Sequence, residues 1–118
     1  MNRKIKQMNK KQRMANRLAV WKRYHMKGMG NYCKRAKNAI YFSPANGLPH
    51  ETMKAIICYR LLREKKWFIT EAVDNSLGLI RDIVCLDDGK IYEIETNPKR
   101  AERFKDDPEA HKIEVILI

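Results

Sequence analysis

The stretch Gly78-Leu-Ile-Arg-Asp-Ile-Val-Cys-Leu-Asp-Asp-Gly-Lys-Ile-Tyr-Glu-Ile-Glu-Thr-Asn-Pro-Lys99 leaves this chain few ways to fold. Asp87-Asp-Gly-Lys between two apolar runs is a strong hairpin turn, because its glycine takes the positive φ that such turns demand. Leu79 to Leu86 and Lys90 to Thr96 are therefore expected as paired antiparallel strands. Trp67 to Val73 reads as a further strand, followed by a loop at Asp74-Asn-Ser, so the unit extends to a three-stranded meander. Ahead of it, Pro49 suits the first turn of a helix and Glu51 complements the dipole there. Met53, Ile56, Ile57, Tyr59, Leu61 and Leu62 carry that helix to about Lys66, with an apolar face wide enough to pack on a sheet. Pro98 is expected to open a helix from about Lys99 to Lys105, and Ile113 to Ile118 reads as a last strand. Helix, three strands, helix and strand make an α/β fold with a mixed sheet.

Charge divides the 118 residues unevenly. Residues 1–40 hold 13 of the 25 Lys and Arg and no acid, whereas residues 41–118 hold 12 basic and 14 acidic groups. The formal charge of +11 thus sits on a basic arm, residues 1–40, ahead of a nearly neutral core, residues 41–118. Asn2 to about Tyr24 lacks Gly and Pro. Its apolar residues Ile5, Met8, Ala15, Leu18, Ala19 and Trp21 are spaced for an amphipathic helix. Such an arm fits phosphate contacts, with a polyanion such as DNA, RNA or an anionic surface as the expected partner. Arg13, Arg17, Lys22 and Arg23 are the candidates on the helix, followed by Lys34, Arg35 and Lys37. Arg100 and Arg103, one helical turn apart, are candidates on the core. Trp21 and Tyr24 could stack on bases or pack on the core.

Cys33, Cys58 and Cys85 form no C-x-x-C pair, so neither a zinc site nor a disulfide framework is expected. No apolar leader and no run of about 18 apolar residues is present. The expectation is an intracellular, reducing location and no membrane.

Asp82 lies on an apolar strand, and Glu93 and Glu95, two apart on the next, project from one face. A hairpin brings the strands together, which predicts that Asp82 comes near Glu95. Carboxylates gathered beside apolar neighbours need compensation. A divalent cation supplies it, and Mg²⁺ favours a few carboxylates plus waters and phosphate oxygens. Asp82, Glu93 and Glu95 are the expected metal ligands. A solvated sheet face, with these acids paired to Arg81, Lys90 and Lys99, is the plainer alternative.

Over residues 48–104 the arrangement resembles the PD-(D/E)XK nuclease superfamily, and within it the small archaeal Holliday-junction resolvases and related archaeal and viral proteins. Arg81-Asp82 stands for the first half-motif and Glu95-Thr96-Asn97 for the second, thirteen residues apart across a hairpin. Glu51 matches the acid that many members carry on the preceding helix. The resemblance implies a restriction-endonuclease-like mixed sheet flanked by helices and Mg²⁺-dependent DNA cleavage, with Mn²⁺ as a substitute. It also implies a possible homodimer in the cytoplasm, or in the host cytoplasm for a viral protein. Glu51, Asp82, Glu95 and Lys99 would be catalytic. Asn97 occupies the place of the motif lysine. Lys99 is two residues on, and a register of Glu93-Ile94-Glu95 would put Glu95 there instead. Two other functions compete: a non-cleaving module of the same fold, and an RNA-binding protein. His50 reads as a general base, a phosphate ligand or a structural residue at a helix start.

Overall fold

The Asp87-Asp-Gly-Lys hairpin forms as its sequence dictates: Gly89 takes φ +74 and donates to the Cys85 carbonyl, and Cys85 N–H reaches the Lys90 carbonyl. Around it a computed structural model, describing residues 2–28 and 35–118 with side chains from Lys10 onward, shows an α/β fold. The elements are α1 (Asn2–Arg23), β1 (Tyr24–Met26), α2 (Leu48–Arg63), β2 (Phe68–Asp74), β3 (Ile80–Cys85), β4 (Ile91–Glu95), α3 (Pro98–Ala101) and β5 (Ile113–Leu117). The five strands form one sheet in the order β1-β2-β3-β4-β5, antiparallel except for the β4–β5 pair. That parallel step needs a crossover, which α3 and two short 3₁₀ turns supply.

The sheet is covered on both faces. On one, Ile57, Cys58 and Leu61 of α2 meet Phe68, Ile83, Cys85, Tyr92 and Ile94. On the other, Val20 and Trp21 from the end of α1 join Tyr24, Met26, Ile69, Ala72, Val84, Leu86 and Ile91. The expected strands and helices of residues 48–118 are all present, within a few residues of their anticipated ends. The helix after Pro98 is a single α turn that continues as a 3₁₀ segment, Glu102–Asp106. Cys58 and Cys85 are buried small hydrophobes, their thiols pushed up by burial to about 12. Cys33 lies outside the described residues. No described helix is long and apolar enough to cross a membrane.

The basic segment differs most from its reading as an arm. β1, unforeseen in the sequence, pairs with β2 (Tyr24 opposite Asp74, Met26 opposite Ala72), so residues 24–26 belong to the core. α1 is anchored by Arg17, whose guanidinium forks onto the Asp87 carboxylate with two 3.0 Å bonds and lies 3.7 Å from the Trp67 ring centroid. Asp87 also accepts from Trp67 N–H, sits 3.3 Å from Arg13, and receives Asn16 on its backbone carbonyl. This one carboxylate ties the helix to the hairpin. Removing it strands two buried donors, the Arg17 guanidinium and the Trp67 N–H, so Asp87→Ala should lower stability by about 3 kcal/mol in urea unfolding. A loss near zero would show that α1 docks without it.

Candidate functional site

Between β3 and β4 the ladder stops early. Ile83 opposes Tyr92 and Val84 opposes Ile91, so the next position pairs Asp82 with Glu93. There the strands are joined by side chains instead. Asp82 N–H donates to Glu93 Oε1 at 3.0 Å, and Ile94 N–H donates to Asp82 Oδ2 at 2.8 Å. Two carboxylates thus fill the gap where backbone bonds would have continued, each directing one oxygen to the opposite strand. Asp82 Oδ1 and Glu93 Oε2 have no hydrogen-bond partner among the described residues.

A kink in β2 prepares this gap. Phe68 faces α2 and Ile69 faces α1, but at Glu71 the backbone enters the left-handed region (φ +44) and the alternation slips by one. Glu71 then turns toward α2 while Ala72 joins the opposite face. A non-glycine residue in that conformation costs on the order of 1–3 kcal/mol and needs an anchor. Lys54, 0% exposed on α2, supplies it: its ammonium bonds Glu71 Oε1 at 2.8 Å, Glu51 Oε2 at 2.9 Å and the Tyr41 carbonyl at 3.0 Å. Burial disfavours the ammonium, but the two carboxylates outweigh burial and hold the Lys54 pKa above its ordinary value.

Glu51 stands in the first turn of α2, which opens after Gly47 at φ +83. It also accepts from Ser43 N–H, Asn46 Nδ2 and His50 Nδ1. Burial pushes its carboxyl up, and these donors, led by Lys54, bring it down to about 2. His50 bridges onward, with Nε2 3.2 Å from Asp82 Oδ2. Burial raises the Asp82 carboxyl, opposed by Ile94 N–H and His50 and reinforced by the charge of Glu71. Burial and then the charge of Asp82 push Glu93 up to about 8. The chain from Lys54 through Glu51 and His50 ends on a carboxylate pair short of positive charge.

The candidates from the sequence divide accordingly. Glu51, Asp82 and Glu93 lie in one connected cluster. Glu95, expected beside Asp82, sits two residues past its partner in the register. Its carboxylate instead accepts from Thr96 and Asn97 N–H and lies 3.8 Å from Arg103. Lys99 is exposed, and its backbone N–H bonds the Asn97 side chain, which caps α3. Among the described residues, no three His, Cys, Asp or Glu side chains converge as a ready metal-binding group. Of the trio Asp82, Glu93 and Glu95, the first two face each other across the strands and Glu95 lies apart beside Arg103.

The basic candidates divide as well. Arg17 is engaged by Asp87, and Arg23 by Asp74 and Glu109. Arg13 is exposed at one side of the Asp87 cluster, and Lys22, Arg35, Lys37 and Arg100 are exposed. Lys37 leans on Trp67 and Arg35 on Trp21, whose indole N–H bonds the Ala36 carbonyl, so both rings serve packing. Arg103 is exposed, and Lys34 lies outside the described residues. Sequence reasoning passed over Lys54 and Glu71. A lysine three residues after Glu51 on an apolar helix, and a lone acid within Phe-Ile-Thr-Glu-Ala-Val, were the available signals.

Searched against protein-family models, curated proteins and solved structures, the chain has no significant match.

Glu93 holds its proton more tightly in the folded chain than its ordinary value of 4.5 would allow. That contribution to stability is whole below about pH 4.5 and drains away as pH rises through about 8. In chelator, wild-type urea midpoints should fall across this window, and Glu93→Gln should flatten the fall. An equal slope in both proteins would remove Glu93 as its source.

Proposed function

We propose that this protein is a Mg²⁺-dependent DNA endonuclease of PD-(D/E)XK type, working at Asp82 and Glu93. One observation carries the reading: two adjacent carboxylates with raised pKa values occupy the gap between β3 and β4, each with one oxygen left over. Hard oxygen donors of this number suit Mg²⁺, which takes one or two carboxylates and completes its shell with water and phosphate oxygens. The helix, acid, hairpin, acid and crossover helix follow in the order on which the resemblance rests. A register of Glu93-Ile94-Glu95 agrees better with the strand pairing than one built on Glu95 alone.

When bound, the cation would supply positive charge to the scissile phosphate and acidify a water. The chain's own residues do the remaining work. Asp82 and Glu93 would hold the cation, while the Ile94 and Asp82 N–H groups fix their other oxygens. The Asp82 side chain is 18% exposed and Glu93 is buried, so substrate would reach the pair from the Asp82 side. Arg103, 63% exposed and near enough to lower the Glu93 carboxyl, together with Arg100 provides phosphate contacts beside the acids. Exposed basic residues of α1 extend the contact away from the site.

Cleavage of plasmid or branched DNA should require Mg²⁺ or Mn²⁺. It should fall to background in Asp82→Ala and in Glu93→Ala, while DNA binding and its salt dependence persist. Undiminished cleavage by a folded Asp82→Ala protein would sink the assignment.

A binding-only module is the second reading, and Asn97 favours it. Where the motif has lysine, this chain has a helix cap, and among the described residues no lysine bonds the Asp82–Glu93 pair. Salt-sensitive DNA binding without cleavage under any metal would select it. The homodimer is part of the first reading: Leu48, Ile56, Tyr59 and Leu62 leave apolar surface exposed along α2, of the kind that self-associates.

A further inference from the structure

His50 lies between two acids and belongs to neither half of the nuclease motif. Its Nδ1 is 2.7 Å from Glu51 Oε1 and its Nε2 is 3.2 Å from Asp82 Oδ2. Either ring nitrogen can donate to the carboxylate it faces. The ring cannot drift, because Glu51 is itself fixed by Lys54 Nζ, Ser43 N–H and Asn46 Nδ2. Lys54 in turn is fixed by Glu71 and the Tyr41 carbonyl. At the far end, Asp82 Oδ2 receives both His50 and Ile94 N–H, which pins one oxygen and directs Oδ1 away from the strand.

We propose that His50 is a positioning residue for Asp82, and that Glu51 acts on the site only through His50 rather than by touching the cation or the substrate. The inference rests on the metal-dependent reading above. Geometry separates the two roles of Glu51. Both of its oxygens are engaged, Oε1 by Asn46 and His50 and Oε2 by Ser43 and Lys54. A carboxylate with four donors has little left for a metal ion, whereas Asp82 and Glu93 each keep a whole oxygen. Partners that orient a ligating carboxylate in this way typically change metal affinity by about 10–100-fold when removed.

The test is a double-mutant cycle read by Mn²⁺ binding to the full chain, followed through the electron-spin signal of free Mn²⁺, with folding checked by circular dichroism. His50→Ala should weaken Mn²⁺ by about 10–100-fold. Glu51→Gln should weaken it in the wild-type background and add nothing in the His50→Ala background. His50→Gln, which keeps a donor for Asp82, should retain more affinity than His50→Ala. If the alanine variant does not fold, the cycle is run on His50→Gln, where Glu51→Gln should again add nothing. Wild-type affinity in folded His50→Ala overturns the positioning role. An equal Glu51→Gln effect in both backgrounds shows that Glu51 acts directly. No Mn²⁺ binding by the unaltered chain, or binding indifferent to Asp82→Asn, overturns the metal reading itself, an outcome distinct from the other two.

Discussion

The Lys54 ammonium, with no exposure to solvent, holds the site together. A buried cation is tolerable only with its charge matched and its donors satisfied, and here Glu51, Glu71 and the Tyr41 carbonyl do both. Three separate pieces of chain converge on it. The loop before α2 is gathered by its carbonyl, the first turn of α2 by Glu51, and the kink of β2 by Glu71. Remove the ammonium and two carboxylates are left facing each other in a poorly solvated space, with the left-handed backbone at Glu71 losing its anchor. The slip in alternation at Glu71 lies opposite Asp82, so this pairing also decides which way the site's acid faces.

A second centre, Asp87, governs the opposite end of the same hairpin. Arg17 and Trp67 N–H meet there, joining α1 to the turn that sets the β3–β4 register. That register in turn pairs Asp82 with Glu93. The basic helix is therefore structurally continuous with the acidic site: the guanidinium that looked free for phosphate is part of what holds the hairpin. Arg81 extends the pattern on the α1 side of the sheet, forking onto Asp107 at 2.7 and 2.9 Å and fastening the crossover behind the site.

Much of this architecture was legible because local chemistry and tertiary structure agree. Asp87-Asp-Gly-Lys can hardly be other than a hairpin, and Pro49 with Glu51 marks a helix start. The alternation of Ile91, Glu93 and Glu95 was equally plain. What was hidden depends on pairings that no short window contains. Nothing in Thr70-Glu71-Ala72 announces a left-handed glutamate, since the anchor that makes it tolerable is seventeen residues away on α2. β1 is only three residues long and grows directly from a helix end, too short to show a period. The choice of Glu95 as partner to Asp82 followed from the hairpin without its exact register, whereas turn length sets that register and shifts the pairing to Glu93. Arg17 and Arg23 looked like solvated cations because the acids that engage them are far away in sequence.

The early end of the β3–β4 ladder has a dynamic consequence. In an ordinary strand pair an amide exchanges its hydrogen with solvent only when the strands part. The Asp82 and Ile94 amides are held instead by the carboxylates of Glu93 and Asp82. Their protection depends on two side chains turning rather than on the sheet opening. Within one hairpin, neighbouring amides therefore report on different events: those of Ile83 to Cys85 on the integrity of the fold, and these two on the state of the acids alone.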